Sequence, residues 1–258
     1  MATKATEKAD ITVIEVNKGL IRFNILGTTP LILNTMSEKV RNQLLLPPPK
    51  KNAAEKASSL KHEPLAEFRN SAYVISDKSA PTYIGFMASA FKAALKGAAL
   101  DLPGASKSQI GRLTYVEGEY IGLYGVPKLL MSVVRSADMN RTPDIRSRAI
   151  LEEWACTVSI SFVKPLLREQ AVINLLAAAG ITQGIGDWRP QKGSGGYGQF
   201  ILAGDDDESF IRITREGGRK EQMAAMESPE CYDDETEKML AWFDVESKRR
   251  GFKVVNNG

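Results

Sequence analysis

The chain has 258 residues, of which 43% are hydrophobic and 25% are charged, a composition typical of a globular protein. This length suits one core with insertions better than two average domains. No stretch approaches the ~20 consecutive apolar residues of a membrane span, and the first ten residues lack the apolar core of a secretory signal. With two distant cysteines and one histidine, we predict a cytoplasmic protein with reduced thiols, no metal and no cofactor.

Charge is distributed unevenly along the chain. Residues 201–258 hold 9 Lys and Arg against 14 Asp and Glu, a net charge of −5, whereas residues 1–200 hold 25 against 17, a net charge of +8. A basic body with an acidic extension favours a polyanionic partner, although an ordinary solvated surface explains the same numbers equally well.

The first 80 residues predict two strands and a long insertion. The β-rich runs at 11–16 and 20–26 are interpreted as strands, the first of them within an N-terminal arm over 1–18. From 35 to 80 the triple proline, several lysines and one short predicted helix near 65–72 indicate an insertion into the domain.

The middle of the chain predicts a helix, a strand or hairpin, a loop and another strand. Helical spacing of apolar and small residues predicts a helix over 84–100, and the β-rich content of 120–134 predicts a strand or hairpin that breaks at Pro127. The arginine-rich stretch 135–148 is interpreted as a loop projecting from the sheet. Strict alternation at 154–163 predicts a strand with these residues facing the core: Cys156, Val158, Ile160 and Phe162.

The predicted core ends with a helix, a glycine-rich loop and a strand. An amphipathic helix is predicted over 167–179 with Gly180 as its C-cap, and a last strand over 197–203. The order βαββαβ predicts an α+β, ferredoxin-like fold over 19–203, in which helices cover one face of an antiparallel sheet and the other face is free. Residues 204–258 are predicted to form an acidic extension, loop-like at first, with a terminal helix at 233–250.

The glycine-rich segment 184–200, GIGDWRPQKGSGGYGQF, combines glycines with cations and aromatic rings. Glycines let the backbone N–H groups approach a ligand, cations bind phosphates, and aromatic rings stack on bases for ~1–3 kcal/mol each. A plain linker would lack the cations and rings, so the pattern favours a nucleic-acid-binding loop over a connector whose tryptophan packs into the core. The predicted contacts are Trp188, Arg189, Lys192, Tyr197, Gly193, Gly195 and Gly196.

This segment does not match the common nucleotide-binding motifs. No Gly-Lys-Ser/Thr sequence closes it as in a P-loop, and it precedes a strand instead of opening a helix as the dinucleotide fingerprint does. Nucleotide hydrolysis is therefore not expected.

The chain resembles a known superfamily in three segments. The pattern Gly184-x-Gly186 … Gly196-x-Gly198 between the last helix and last strand resembles the glycine-rich loop of the RAMP superfamily, the ferredoxin-like RNA-binding proteins of CRISPR effector complexes. GTTPLIL at 27–33 and YIGFMASAFKAALKGAA at 83–99 are similar to the same superfamily. KHEPLAEFRNSAY at 61–73, taken with GIGDWRP at 184–190, is similar to a group of uncharacterised phage proteins.

This resemblance covers residues 20–203 and implies a CRISPR backbone-like subunit. Such a protein would bind single-stranded RNA or DNA and stack with copies of itself along the strand, in the host cytoplasm if it is phage-encoded. The insertion at 35–80 would reach a neighbouring copy. The resemblance adds secondary phosphate contacts at Arg141, Arg146, Arg148, Lys92 and Lys96. Lys92 and Lys96 are spaced as on one face of a helix. A solvated helix face is at least as good an interpretation of these two lysines.

Two alternatives from other classes stay open. A metal-independent RAMP-type endoribonuclease would use His62 as a general acid–base, although an exposed, uninvolved histidine is the commoner case in such a polar segment. The acidic run 205–208 is interpreted as a solvated turn, because consecutive carboxylates point to different sides. A phage structural or inhibitor protein would act by protein contacts through its terminal helix. We expect a binding protein and not an enzyme, with RNA and DNA equally compatible.

Overall fold

The computed structural model describes residues 13–36, 38–46, 52, 60–104, 106–135, 141–193 and 195–252. Its strands are β1 (Asn17–Gly27), β2 (Leu31–Ile32), β3 (Tyr73–Val74), β4 (Ile84–Met87), β5 (Thr114–Val116), β6 (Tyr120–Tyr124), β7 (Pro127–Arg135), β8 (Pro143–Leu151), β9 (Ala155–Lys164) and β10 (Phe200–Ala203). Its α-helices are α1 (Glu38–Leu45), α2 (Pro64–Asn70), α3 (Ala88–Ala98), α4 (Lys107–Leu113), α5 (Glu169–Thr182), α6 (Glu208–Glu216), α7 (Arg219–Glu227) and α8 (Asp234–Arg249).

The main sheet is antiparallel, with helices packed on one face. Its strand order is β10-β1-β9-β6-β4-β3, and β5 pairs with β9 beside β6. β1 and β9 form the longest ladder, from Asn17 opposite Lys164 to Leu26 opposite Ala155. Helices α3 and α5 pack against each other and against the apolar face of this sheet. The chain is therefore a mixed α and β protein, as the hydrophobic patterning predicts.

Alternation along β9 follows the prediction closely. Its four predicted core side chains are all buried, while Thr157 and Ser159 on the opposite face are partly exposed. Ser161, predicted to face outward with them, is buried. That opposite face is not free, however. Helix α6 contacts β1 and β9 and covers part of it, which corrects the expectation of an open sheet face.

A second sheet, of order β2-β8-β7, contains a long hairpin. β7 and β8 pair without interruption from Pro127 opposite Leu151 to Arg135 opposite Pro143. The predicted loop at 135–148 is therefore wrong for 143–148, which belong to β8; residues 136–140 lie outside the described part. The half of the hairpin nearest the body is buried, whereas the half that carries 132–135 and 143–146 is largely exposed. Ladder hydrogen bonds satisfy the backbone of this outer half although few of its side chains are buried.

Two helix predictions need correction. Residues 84–87 form strand β4 because buried Ile84 and Phe86 pair the segment with β3 and β6, and helix α3 begins only at Ala88. Gly180 does not cap α5, which continues to Thr182. The absence of a side chain at Gly180 instead lets the helix lie directly against the backbone carbonyl of Phe200.

The two ends of the chain also differ from expectation. Residues 13–16 are exposed and form no strand; residues 11 and 12 lie outside the described part, as do most of 47–59 with the triple proline. The predicted loop after residue 204 is wrong, because α6 and α7 occupy 208–227. Asp207 caps α6 and Asp233 caps α8 by accepting the backbone N–H groups of Phe210 and Thr236, both at 2.8 Å, so part of the acidic character serves helix capping.

None of the described helices is long and apolar enough to cross a bilayer.

Candidate nucleic-acid interface

A groove of about 310 Å³ runs between helix α3 and the glycine-rich loop. The helix contributes small side chains, Ala90, Ala93 and Ala94, which leave room above its surface. The loop contributes backbone and polar side chains. The residues on the loop side are Gln183, Gly184, Ile185, Gly186, Asp187, Arg189, Gln191 and Lys192.

The loop is held by backbone hydrogen bonds along its length. Ile185 N donates to Gly198 O at 2.9 Å, which closes the loop on itself, and Gly198 N donates to Pro30 O at 2.8 Å. Asp187 N donates to Ile32 O at 3.0 Å and joins the loop to β2. The described residues of the segment are therefore joined to the fold by their backbone, unlike a plain connector.

The predicted ligand-facing glycines divide into two groups. Gly195 packs against the carbonyl of Trp188, and Gly198 against that of Ile185, so neither position has room for a side chain. Gly193 and Gly196 have open space around them. The predicted approach of a ligand to the backbone is thus sterically open at Gly193 and Gly196, whereas Gly195 serves the packing of the loop.

Trp188 and Tyr197 attach the loop to the second sheet. Their ring centroids are 5.9 Å apart, and both half-buried rings pack on the apolar cluster of Ile32, Leu130 and Ile150. Trp188 adopts a φ of +51°, a conformation that costs a bulky residue roughly 1–2 kcal/mol and is maintained here by packing. Both rings keep a partly exposed surface on the loop.

Arg148 lies at the centre of this junction. Its side chain is only 4% exposed, and it forms an ion pair with Asp187, donates to Ser132 Oγ at 2.8 Å and stacks 4.7 Å from the centre of the Trp188 ring. Burial lowers the pKa of Arg148, and the carboxylate of Asp187 opposes that shift. Since this guanidinium is already bound within the protein, the structure assigns it to the loop–sheet junction and not to the exposed surface predicted for a phosphate ligand.

Sequence reasoning missed Asp187. Besides its ion pair, its carboxylate accepts a hydrogen bond from Asn34 Nδ2 at 3.2 Å and from its neighbour's backbone, Trp188 N, at 3.1 Å. An acidic residue inside an otherwise basic, glycine-rich loop is the one signal in the sequence that points to such an internal partner.

The exposed cations lie on the loop and along the hairpin. Lys192 is exposed on the groove rim, while Arg189 is half-buried and donates to Gly186 O at 2.8 Å and Gln191 Oε1 at 3.0 Å. On the hairpin Arg141 is exposed, and Arg146 is 54% exposed with Asp144 at 3.6 Å. Arg146 lies two residues before Arg148 on the same strand face, so Arg146 is the exposed cation of that face and Arg148 the buried one.

Lys92 and Lys96 lie elsewhere. Lys92 Nζ is 5.8 Å from the centre of the Tyr115 ring, and the Lys96 side chain lies beside Gly111 of α4. Neither residue lines the groove, although both belong to the helix that forms one of its walls.

His62 joins the 35–80 insertion to the hairpin. Its Nδ1 lies 2.8 Å from Glu67 Oε1 and its Nε2 lies 2.9 Å from Asp144 Oδ1, which also accepts from Lys61 Nζ at 2.8 Å. The His62 side chain is 19% exposed. Both ring nitrogens are thus already in contact with carboxylates.

The acidic run after β10 has identifiable structural contacts. Asp205 accepts a hydrogen bond from Asn24 Nδ2 at 2.8 Å, and Asp207 caps α6. Within the described ranges, no group of three or more metal-binding side chains is assembled, here or elsewhere.

Comparison with known proteins gives distant structural similarity only. No family model matches the chain, and no curated protein matches it. Among solved structures it is similar to a chain in the cryo-EM structure of the Type III-B Cmr-beta bound to cognate target RNA, with a TM-score of 0.36 and 12% sequence identity. The alignment covers 72% of this chain and 59% of that one, so this chain spans less than two thirds of its neighbour's length.

Proposed function

We propose that this protein binds single-stranded nucleic acid without strong sequence preference, in the groove between α3 and the glycine-rich loop. The observation that carries the proposal is an ordered groove of about 310 Å³ with exposed Lys192 on its rim and a basic hairpin beside it. A groove that tracks a charged backbone needs fixed walls and accessible cations, and both are present.

The proposed sequence tolerance rests on the cations and rings around the groove, because the groove itself is mixed in composition. Its walls combine alanine side chains and loop backbone with polar side chains such as Asn34, Tyr73 and Gln183. The half-buried Trp188 and Tyr197 add aromatic surface next to the cations, and stacking on such rings accepts any base. We propose that phosphate contacts provide most of the affinity.

The fold is consistent with a ferredoxin-like core of the RAMP type, which we propose for this chain. The order β10-β1-β9-β6, with α3 following β1 and α5 following β9, is the strand order of a βαββαβ core. The second sheet and helices α6 to α8 would then be additions to that core. We further propose that copies assemble along the strand and that the protein acts in the cytoplasm.

Catalysis is not part of the proposal. His62, the general acid–base of the alternative nuclease, has both ring nitrogens within hydrogen-bonding distance of carboxylates and lies 19% exposed. We assign it the structural role of holding the hairpin to the insertion.

A titration of labelled RNA and DNA 20-mers by fluorescence anisotropy, repeated at several salt concentrations, tests the proposal. We expect binding that weakens steeply with salt, and Lys192→Glu to weaken it by about tenfold at low salt. Lys96→Glu is the matched control, because it makes the same charge change outside the groove and should have a much smaller effect. An affinity that does not change with salt concentration, or equal losses of affinity in the two variants, would contradict the proposal.

A protein-binding role remains the second candidate, on one specific observation. Helix α8 exposes Trp242 and Val245, 66% and 69% accessible, on neighbouring turns of one face. A protein complex that forms through this face in the absence of nucleic acid, together with no binding in the RNA and DNA titration, would favour the protein-binding function.

A further inference from the structure

A second cavity, of about 540 Å³, lies on the opposite face of the main sheet from α3 and α5. Strands β1, β6 and β9 form its floor, and α6 forms its roof. It is lined by Arg22, Asn24, Tyr124, Thr157, Asp205, Phe210 and Thr214, none of which lines the groove beside the glycine-rich loop. Its volume is within the range usual for small-molecule sites.

The amide of Asn24 has a fixed orientation in this cavity. Asn24 Nδ2 donates to Asp205 Oδ1 at 2.8 Å, and Thr157 Oγ1 donates to Asn24 Oδ1 at 3.2 Å. One amide hydrogen and the second carboxylate oxygen of Asp205 remain without a partner among the residues that the structure describes. The floor therefore presents a hydrogen-bond donor beside an acceptor, the pattern that pairs with the edge of a nucleobase.

The same cavity offers a cation and aromatic surface. Arg22 is exposed and has no ion-pair partner in the described ranges, so its guanidinium is available for bidentate contact with a phosphate. Half-buried Phe210 provides a ring face from the roof, and Tyr124 provides a second ring from the floor. These groups suit a ligand that combines a planar, hydrogen-bonding ring with an anionic group.

The roof is attached firmly enough to shape the cavity. Helix α6 buries Ile213, begins at the capping carboxylate of Asp207, and carries Arg212, which forms two hydrogen bonds with Glu153 at 2.9 and 2.6 Å. The cavity is thus bounded by ordered elements on both sides.

We propose that this cavity binds a nucleoside monophosphate, with Arg22 on the phosphate and Asn24 with Asp205 on the base. The site is separate from the nucleic-acid groove, so the two proposals can fail independently.

Isothermal titration of the full-length protein, freed of nucleic acid, with AMP tests this assignment. We expect saturable binding of AMP, with adenosine and ribose 5-phosphate each weaker by about tenfold or more because each lacks half of the contacts. Arg22→Gln should weaken AMP binding by at least about tenfold, while Lys192→Gln, which removes the same charge from the other site, should leave it unchanged.

Several results would overturn the proposal. These are absence of saturable AMP binding, equal affinity for adenosine and AMP, or loss of AMP binding in Lys192→Gln with retention in Arg22→Gln. Backbone amide shifts on AMP addition provide a second readout, expected at Thr157 and Asp205. Shifts confined to 184–192 would place the ligand in the groove and refute the assignment.

Discussion

At the scale of single residues, the loop depends on a buried charge that the fold neutralises. Arg148 lies on β8 and Asp187 in the glycine-rich loop, and the ring of Trp188 stacks on the guanidinium of their ion pair. A guanidinium this deeply buried is stabilising only while its partner remains, because desolvation of an unpaired charge is costly.

Replacing Arg148 with methionine is expected to lower the free energy of unfolding by about 3 kcal/mol, since Asp187 then loses its cation and Trp188 its stacking partner. Arg146→Met, two residues earlier on the same strand, should cost less than about 0.5 kcal/mol because that side chain is largely exposed. Urea unfolding of both variants measures the difference. Similar losses in the two would show that Arg148 is not a structural ion-pair partner.

At the scale of elements, the hairpin of β7 and β8 carries cations away from the body while its base is fixed in the core. Arg141 and Arg146 lie on the exposed half, and the buried half packs under the glycine-rich loop. This arrangement permits changes of surface charge with little change of stability.

Removing both hairpin cations by Arg141→Ala with Arg146→Ala should reduce the slope of log binding constant against log salt by about 1.4, the value for two single-strand phosphate contacts. Stability should stay nearly constant, because both side chains are exposed. Arg215→Ala with Lys220→Ala removes the same charge from the terminal helices and is the control. If the slope of log binding constant against log salt equals that of the control, the hairpin is not part of the proposed interface.

Asp144 attaches the hairpin to the insertion, and the stability that this contact contributes depends on pH. Burial acts to raise the pKa of Asp144, but hydrogen bonds and charge from Lys61 and His62 outweigh it and hold the pKa below the ordinary aspartate value. Because the folded-state pKa is the lower one, ionised Asp144 stabilises the fold above the unfolded pKa. This contribution disappears as pH falls through the folded pKa.

Asp144→Asn should therefore be less stable than the wild type at pH 7, and the difference should shrink below about pH 4. Urea unfolding across that range measures it. Two curves that remain parallel down to the lowest pH would mean that Asp144 contributes nothing through its charge.

At the scale of the whole molecule, the C-terminal extension is integrated with the core through a fully buried glutamine. Gln222 of α7 accepts hydrogen bonds from Tyr83 N and Ile84 N, at 2.8 and 3.0 Å, and donates to Leu123 O and Gly125 O, at 2.7 and 3.1 Å. One side chain thus joins the extension to strands β4 and β6 by satisfying backbone groups at their ends.

Gln222→Leu is expected to lower the free energy of unfolding by at least about 3 kcal/mol, because several buried backbone groups lose their partner at once. Gln170→Leu, on the exposed side of α5, should change it by less than about 0.5 kcal/mol. Thermal and urea unfolding compare the two. Equal stability of both variants would show that the extension is not held through Gln222.

Local sequence patterns were sufficient for the parts of the molecule with short-range periodicity. The inward side chains of β9, the apolar stripe of α5 and the break before Pro127 depend on neighbours a few residues apart, and each was predictable from spacing. The segment at 184–200 was also predictable as a loop, because its glycines disfavour helix and strand, while its binding role stays a prediction.

Only the tertiary structure decided which of the predicted contacts are accessible. Lys192 of the loop is exposed, whereas Arg148 of β8 is buried in an ion pair with Asp187, and Gly195 packs against the carbonyl of Trp188. Helix α7 was missed because it is joined to the core through Gln222, whose partners Tyr83 and Leu123 lie about 100 residues or more away in the chain, and α6 was missed although Asp207 caps it. Local periodicity predicts secondary structure. Whether a side chain is exposed to a ligand depends on long-range contacts, which the spacing of residues in the sequence does not encode.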